Sequence, residues 1–111
     1  MAENCEELGF LLLLCTCPSQ EIAENLAKQV VSNSLAGCVN ILPNLLSVYQ
    51  WQGKIEQQQE YLLLIKTHRD SYSSLEQLLK NKHPYQVPEI ITIPINNGSS
   101  EYLAWLKQCL K

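Results

Sequence analysis

Cys15 and Cys17, separated by a single residue, put two thiols on the same face of an extended apolar stretch. Cysteine is a soft ligand suited to copper or zinc. The plainer reading of both is a small buried core residue. Lys66, His68, Arg69 and Lys82 form a second group, basic in character, that would come together if a helix begins just past Thr67. Such a cluster could receive a carboxylate or phosphate, or could simply be solvated surface. The third group is aromatic and acidic: Tyr85 and Glu89, on a segment held by Pro84 and Pro88, together with Trp51. Exposed groups on loops bind more often than they pack. Trp51 and Trp105 would also serve as large anchors in a subunit interface. No G-x-S-x-G, Walker loop or G-x-G-x-x-G is present, so an enzyme is not expected.

The elements that must carry these groups centre on Tyr49–Thr67, YQWQGKIEQQQEYLLLIKT. Gly53 supplies a tight turn because glycine enters φ > 0 freely. Tyr61, Leu63 and Ile65 fall on one face of the second arm and Leu62 and Leu64 on the other, so that arm should be a central strand. From Val39 to Trp51 the first arm would reach roughly 40 Å at ~3.3 Å per residue, about twice a usual strand. So short a chain cannot cover such a ribbon, and its outer part, with Gln57, Gln58 and Gln59, is expected to lie on another copy.

Phe10–Cys17 reads as a buried central strand ended by Pro18. Ile22, Leu26 and Val30 recur every four residues, so a helix is expected over Ser19–Ala36, with Ser19 as N-cap and Gly37 as its stop. Cys38–Leu42 resumes a strand, with a bulge expected at Pro43-Asn44. Asp70 or Ser71 should cap a second helix bearing Tyr72, Leu75, Leu78 and Leu79, finished by His83 before Pro84. Ile90, Ile91 and Ile93 make a strand that Pro94 marks as an edge. Ser99 or Ser100 begins a last helix carrying Tyr102, Leu103, Leu106 and Leu110. The order is that of an α+β, ferredoxin-like βαββαβ sandwich with a long β-hairpin and an extra C-terminal helix.

The chain has 111 residues, which suits one domain with a single core, Met1–Glu7 being expected to fray. A net charge of −3 argues against nucleic acid and anionic membranes as partners. Only 17% of residues are charged, which again favours buried subunit contacts. Five cysteines without a C-x-x-C suggest free thiols in a reducing, cytoplasmic setting. Phe10–Leu14 is too short to span a bilayer.

Four stretches together resemble the CutA family, which takes its description from tolerance to divalent cations. They are Leu35-Ala36-Gly37-Cys38-Val39-Asn40, Trp51-Gln52-Gly53-Lys54, Lys66-Thr67 and His83-Pro84-Tyr85-Gln86-Val87-Pro88-Glu89, and Tyr102-Leu103-Ala104-Trp105-Leu106 is similar to the family's closing helix. The resemblance implies a homotrimer tied by long hairpins and akin in architecture to trimeric PII signalling proteins, which bind small effectors between subunits. On that footing a small anionic metabolite would sit in an intersubunit cleft lined by Trp51, Lys66, His83, Tyr85 and Glu89. Two alternatives stand beside it: a divalent-metal (copper) protein, and a structural trimer anchoring another protein. The family's proposed copper ligands fall on Cys15, Glu60 and His83. A second histidine of that pattern is Lys82 here, and an ammonium is a poor ligand, so no cofactor is required and any metal binding should be weak.

Overall fold

The structure, a computed structural model, describes residues 8–111. The expected fraying of residues 1–7 lies outside them. In order come β1 (Phe10–Cys17), α1 (Gln20–Ser32), β2 (Cys38–Trp51), β3 (Lys54–His68), α2 (Arg69–Lys82), β4 (Ile91–Pro94) and α3 (Ser100–Gln108). The strands form one antiparallel sheet in the order β2-β3-β1-β4, the arrangement expected of a ferredoxin-like βαββαβ chain with an added helix. β3 is central and fills its place by alternation: Leu63 and Ile65 are fully buried under α1 and α2, against Leu13, Cys15, Leu26, Val30, Leu75 and Leu79. β4 is a short edge strand ending in Pro94, whose missing N–H is harmless there.

β2 and β3 run well past the sheet as a two-stranded ribbon, and the molecule is accordingly elongated, 50 × 29 × 23 Å. Its tip is a two-residue turn, Gln52 at φ 52° and Gly53 at φ 80°, the paired positive φ values that match the twist of flanking strands. The register slips between Leu42 and Leu45, with Asn44 at φ 61°. The bulge therefore stands at Pro43-Asn44, as the sequence suggests.

Helix ends are where the expectations need correction. α1 stops at Ser32, not Ala36, and Gly37 is not its terminator. The chain reverses at Ser34, φ 59°, where the Ser34 N–H donates to the Val31 carbonyl and the Leu35 N–H to the Val30 carbonyl. That is a Schellman closure built on a non-glycine residue. Gly37 serves packing instead: a Cβ there would lie 2.5 Å from Leu106 Cδ1 of α3. Because Ser34 sits in a left-handed conformation that disfavours a side chain, Ser34→Gly should raise stability by up to ~1 kcal/mol. Chemical denaturation would check this, and a loss of stability would mean that the serine hydroxyl makes a compensating bond.

α2 is capped by neither Asp70 nor Ser71 but by His68, whose Nδ1 accepts the Asp70 N–H at 3.1 Å. At the other end His83 Nδ1 accepts the Tyr85 N–H at 3.0 Å. Each imidazole then reaches the first-strand segment with its other nitrogen: His68 Nε2 to the Leu8 carbonyl and His83 Nε2 to that of Thr16, both 2.8 Å. A 14-residue helix is about 21 Å long, close to the span of the eight-residue β1, about 26 Å. Two histidines thus pin α2 to β1 at both ends.

The sheet face away from α1 and α2 is also apolar. Leu12, Leu14, Leu62 and Leu64 point that way and are half-buried, while beside them Ile91 and Ile93 of β4 are 52% and 48% exposed. α3 covers one end of this face, where Lys66 Nζ stands 5.7 Å from the Tyr102 ring centroid. On the ribbon, Ile55 is 81% exposed.

Candidate functional site

A cleft of about 620 Å³ opens where the ribbon leaves the sheet, on the face opposite α1 and α2. Strand alternation builds one wall. In the β2–β3 register Ser47 faces Gln58 and Leu45 faces Glu60, so Tyr49, Trp51, Gln58 and Glu60 share one side of the ribbon. The other wall is the segment after α2, including Pro84, Tyr85 and Glu89, and Thr16 of β1 forms part of the floor.

A chain of hydrogen bonds joins the walls. The Tyr49 hydroxyl donates to Gln58 Oε1 at 2.9 Å, Gln58 Nε2 donates to the Tyr85 hydroxyl at 3.4 Å, and that hydroxyl donates to Glu60 Oε2 at 2.6 Å. Glu60 is only 5% exposed. Its carboxylate accepts from Tyr85 and is in no ion pair among the described residues. Burial, and then the Glu60 carboxylate it donates to, hold the Tyr85 phenol far above its ordinary range. Glu89 is exposed as a residue, yet its carboxyl is lifted above the usual 4.5 by partial desolvation and, after that, by the like charge of Glu60.

Of the residues singled out for the cleft, Trp51, Tyr85 and Glu89 line it, as does Glu60. Lys66 does not; it lies against Tyr102 on the far part of that face. His83 stands behind the wall, its ring 4.6 Å from that of Tyr85. The basic cluster of Lys66, His68, Arg69 and Lys82 does not form. His68 is a buried helix cap, and Arg69 and Lys82 are the two ends of α2, about 20 Å apart. Tyr49 and Gln58 were not anticipated, although the alternation that places Trp51 also places them.

The donor set Cys15, Glu60 and His83 does not fit a metal ion as it stands. His83 accepts at Nδ1 from Tyr85 N–H and must therefore carry its proton at Nε2, facing the Thr16 carbonyl, so neither nitrogen has a lone pair to offer. Cys15 is wholly buried, and burial, followed by the charges of Cys17, Glu89 and Glu60, pushes its thiol up to about 12. Cys17 is likewise pushed up to about 11, by burial and then by Glu60. Both stay protonated at neutral pH, and the thiolate is the ligand form. Among the described residues no group of three or more His, Cys, Asp or Glu side chains is placed to hold a metal. Iodoacetamide at pH 8 should therefore leave Cys15 of the native protein unmodified for as long as it takes to label the guanidinium-unfolded chain fully, as read by peptide mass mapping. Equal rates in the two states would show the thiol to be accessible.

Residues 11–109 match the family model of the CutA1 divalent ion tolerance protein. The chain belongs to that family. It is 47% identical over 97 residues to the divalent-cation tolerance protein CutA of Thermus thermophilus, covering 87% of this chain and 94% of that one. With the CutA protein of Yersinia pestis it shares 43% over 100 residues, 90% and 84% of the two chains. Among solved structures, the divalent cation tolerance protein of Thermus thermophilus superposes with a TM-score of 0.90 at 45% identity, over 92% of this chain and 99% of that one. CutA1 of Oryza sativa gives 0.90 at 40%, over 93% and 94%. The matched residues take in α2, the cleft and the sheet from its second residue, Leu11, onward; the Leu8 carbonyl that His68 reaches lies just before them.

Proposed function

We propose that this member of the divalent-cation tolerance family is a non-catalytic homotrimer that binds cations in the cleft beneath its ribbon. The observation that carries the reading is the charge of the cleft: Glu60 and Glu89 face it, and no Lys, Arg or His lines it. Two carboxylates without a counter-ion among the described residues attract positive charge and repel anions, so the lining of one chain speaks against an anionic metabolite. For a divalent ion, Glu60 and Glu89 are the residues that would hold it, as oxygen ligands to a hard cation that keeps several waters. Trimerisation rests on the aliphatic face of Leu12, Leu14, Leu62, Leu64, Ile91 and Ile93, which shares its side of the sheet with the cleft. Copies packed there would bring each cleft to a subunit boundary. The family description and the names of the Thermus thermophilus and Yersinia pestis relatives, divalent-cation tolerance proteins, favour this reading over a signalling one.

We place the protein in a reducing cytosol on the strength of the free thiols among the described residues, Cys15, Cys17, Cys38 and Cys109. A related structure from Archaeoglobus fulgidus, 35% identical with a TM-score of 0.89, is described as periplasmic. No described helix is long and apolar enough to cross a membrane.

Titration calorimetry with manganese(II), zinc(II) and copper(II) tests the assignment. Binding should fall in Glu60→Gln and Glu89→Gln and persist in Cys15→Ala. The reverse pattern would move the site to the thiols. Acidification should release the cation. Because the Glu89 carboxyl titrates above the ordinary 4.5, the release should begin at a higher pH than for a free carboxylate. The sign for folding agrees: the charged Glu89 is disfavoured in the native state, so its unfavourable contribution is present above its raised pKa and is relieved as pH falls through that value. A bound cation reverses that by favouring the charged form.

A further inference from the structure

We infer that the cleft is shaped for a small organic cation, an alkylammonium or guanidinium group, held by Glu60 and Glu89 against aromatic walls. This rests on the reading of the cleft as a cation site and narrows the ligand class. Size is the first argument. A six-water shell at ~30 Å³ per water fills under a third of the cleft, whose 620 Å³ lies in the range of small-molecule sites. The second is the wall chemistry: Tyr49, Trp51 and Tyr85 all line it. Within one chain Tyr49 and Trp51 are 40% exposed, so their rings are not taken up by the packing of that chain. Aromatic faces attract ammonium and guanidinium ions, tryptophan most strongly, whereas they offer nothing to a hydrated metal.

The third argument is the state of Glu60. A carboxylate 5% exposed with one hydrogen bond and no ion pair among the described residues is an incomplete arrangement, since buried charge is normally paired. The Tyr85–Gln58–Tyr49 relay holds it in place without neutralising it. Lys54, opposite Trp51 at the ribbon tip, is exposed and outside the lining, so it does not supply the missing charge. A guanidinium matches what is left: a planar fork for a carboxylate and a flat face for an indole.

Agmatine, which carries both an ammonium and a guanidinium, is the probe, with tetramethylammonium and manganese(II) for comparison. Calorimetry on the assembled protein should give one agmatine per chain. Binding should weaken about tenfold in Trp51→Leu, and by more in Glu60→Gln, as expected for loss of a cation–π contact and of a paired charge. Glu89→Gln, at an exposed position, provides the charge test should Glu60→Gln fail to fold. If manganese binds and agmatine does not, the organic-cation inference fails and the cation-binding function stands. If neither binds and Glu60 in the assembled protein is paired with a lysine or arginine of another copy, both fail.

Discussion

Leu64→Asp should leave the protein monomeric where the proposed trimer is expected of the unmodified chain. By light scattering the unmodified chain should weigh three times its 12.6 kDa at micromolar concentration. Leu64 lies at the centre of the apolar sheet face, opposite Leu14 of β1, with Ile91 beyond it on β4. Inside one chain this side chain is partly exposed and lies on the other side of the sheet from the core of Leu13, Leu63 and Ile65. In an assembly the same position would bury one unpaired carboxylate per chain, each disfavoured by several kcal/mol. Loss of assembly with far-UV circular dichroism retained is the expected result. A wild-type monomer, or a Leu64→Asp trimer, would remove the case for self-association through this face.

His83→Ala should lower stability by about 2–4 kcal/mol with chelator present throughout. The bond from the Tyr85 N–H is worth roughly 0.5–1.5 kcal/mol, and loss of the other leaves the buried Thr16 carbonyl without that partner, at about 1–3 kcal/mol. The melting curve separates this from a ligand role. A histidine whose task is to bind metal leaves the metal-free protein as stable as before when it is removed. Unchanged melting together with lost metal binding would return His83 to the list of ligands.

Much of the architecture was legible. Strict alternation through Tyr61–Ile65 marks a strand apolar on both sides, and such a strand has only one place in the sheet. Pro43-Asn44 and Gly53 declare the bulge and the turn because their backbones permit little else. The helix ends were less readable because the residues involved are poor markers. A left-handed serine at position 34 contradicts local preference and is imposed by the closure around it, while Gly37, the natural stop by propensity, is required by Leu106 from the far end of the chain. His68 as a cap depends on the Leu8 carbonyl, which no local pattern reveals.

In the site, Trp51, Tyr85 and Glu89 line the cleft they were assigned to, while Glu60, read from the sequence as a metal ligand of the ribbon, lines it as well. The task of His83 could not be foreseen, because hydrogen-bond partners decide whether a nitrogen is free to bind and they are a property of the folded chain, whereas Cys15 is the small buried core residue of its plainer reading. Lys66 illustrates the same limit. Its face is fixed by β3, but its company is fixed by α3, which arrives some forty residues later.

The two-residue turn at Gln52-Gly53 also bears on the order in which the chain folds. β2 and β3 are joined by the shortest connection a hairpin allows, whereas β1 must find β3 across half the chain, Leu13 against Ile65. Hairpins close in about 1–10 μs, and distant pairings wait on the search for their partners. The ribbon should therefore zip before the sheet is complete. Pulse-labelled hydrogen exchange should find the amides near the turn protected ahead of those of β1, in a chain that already carries its cleft wall before it has a core.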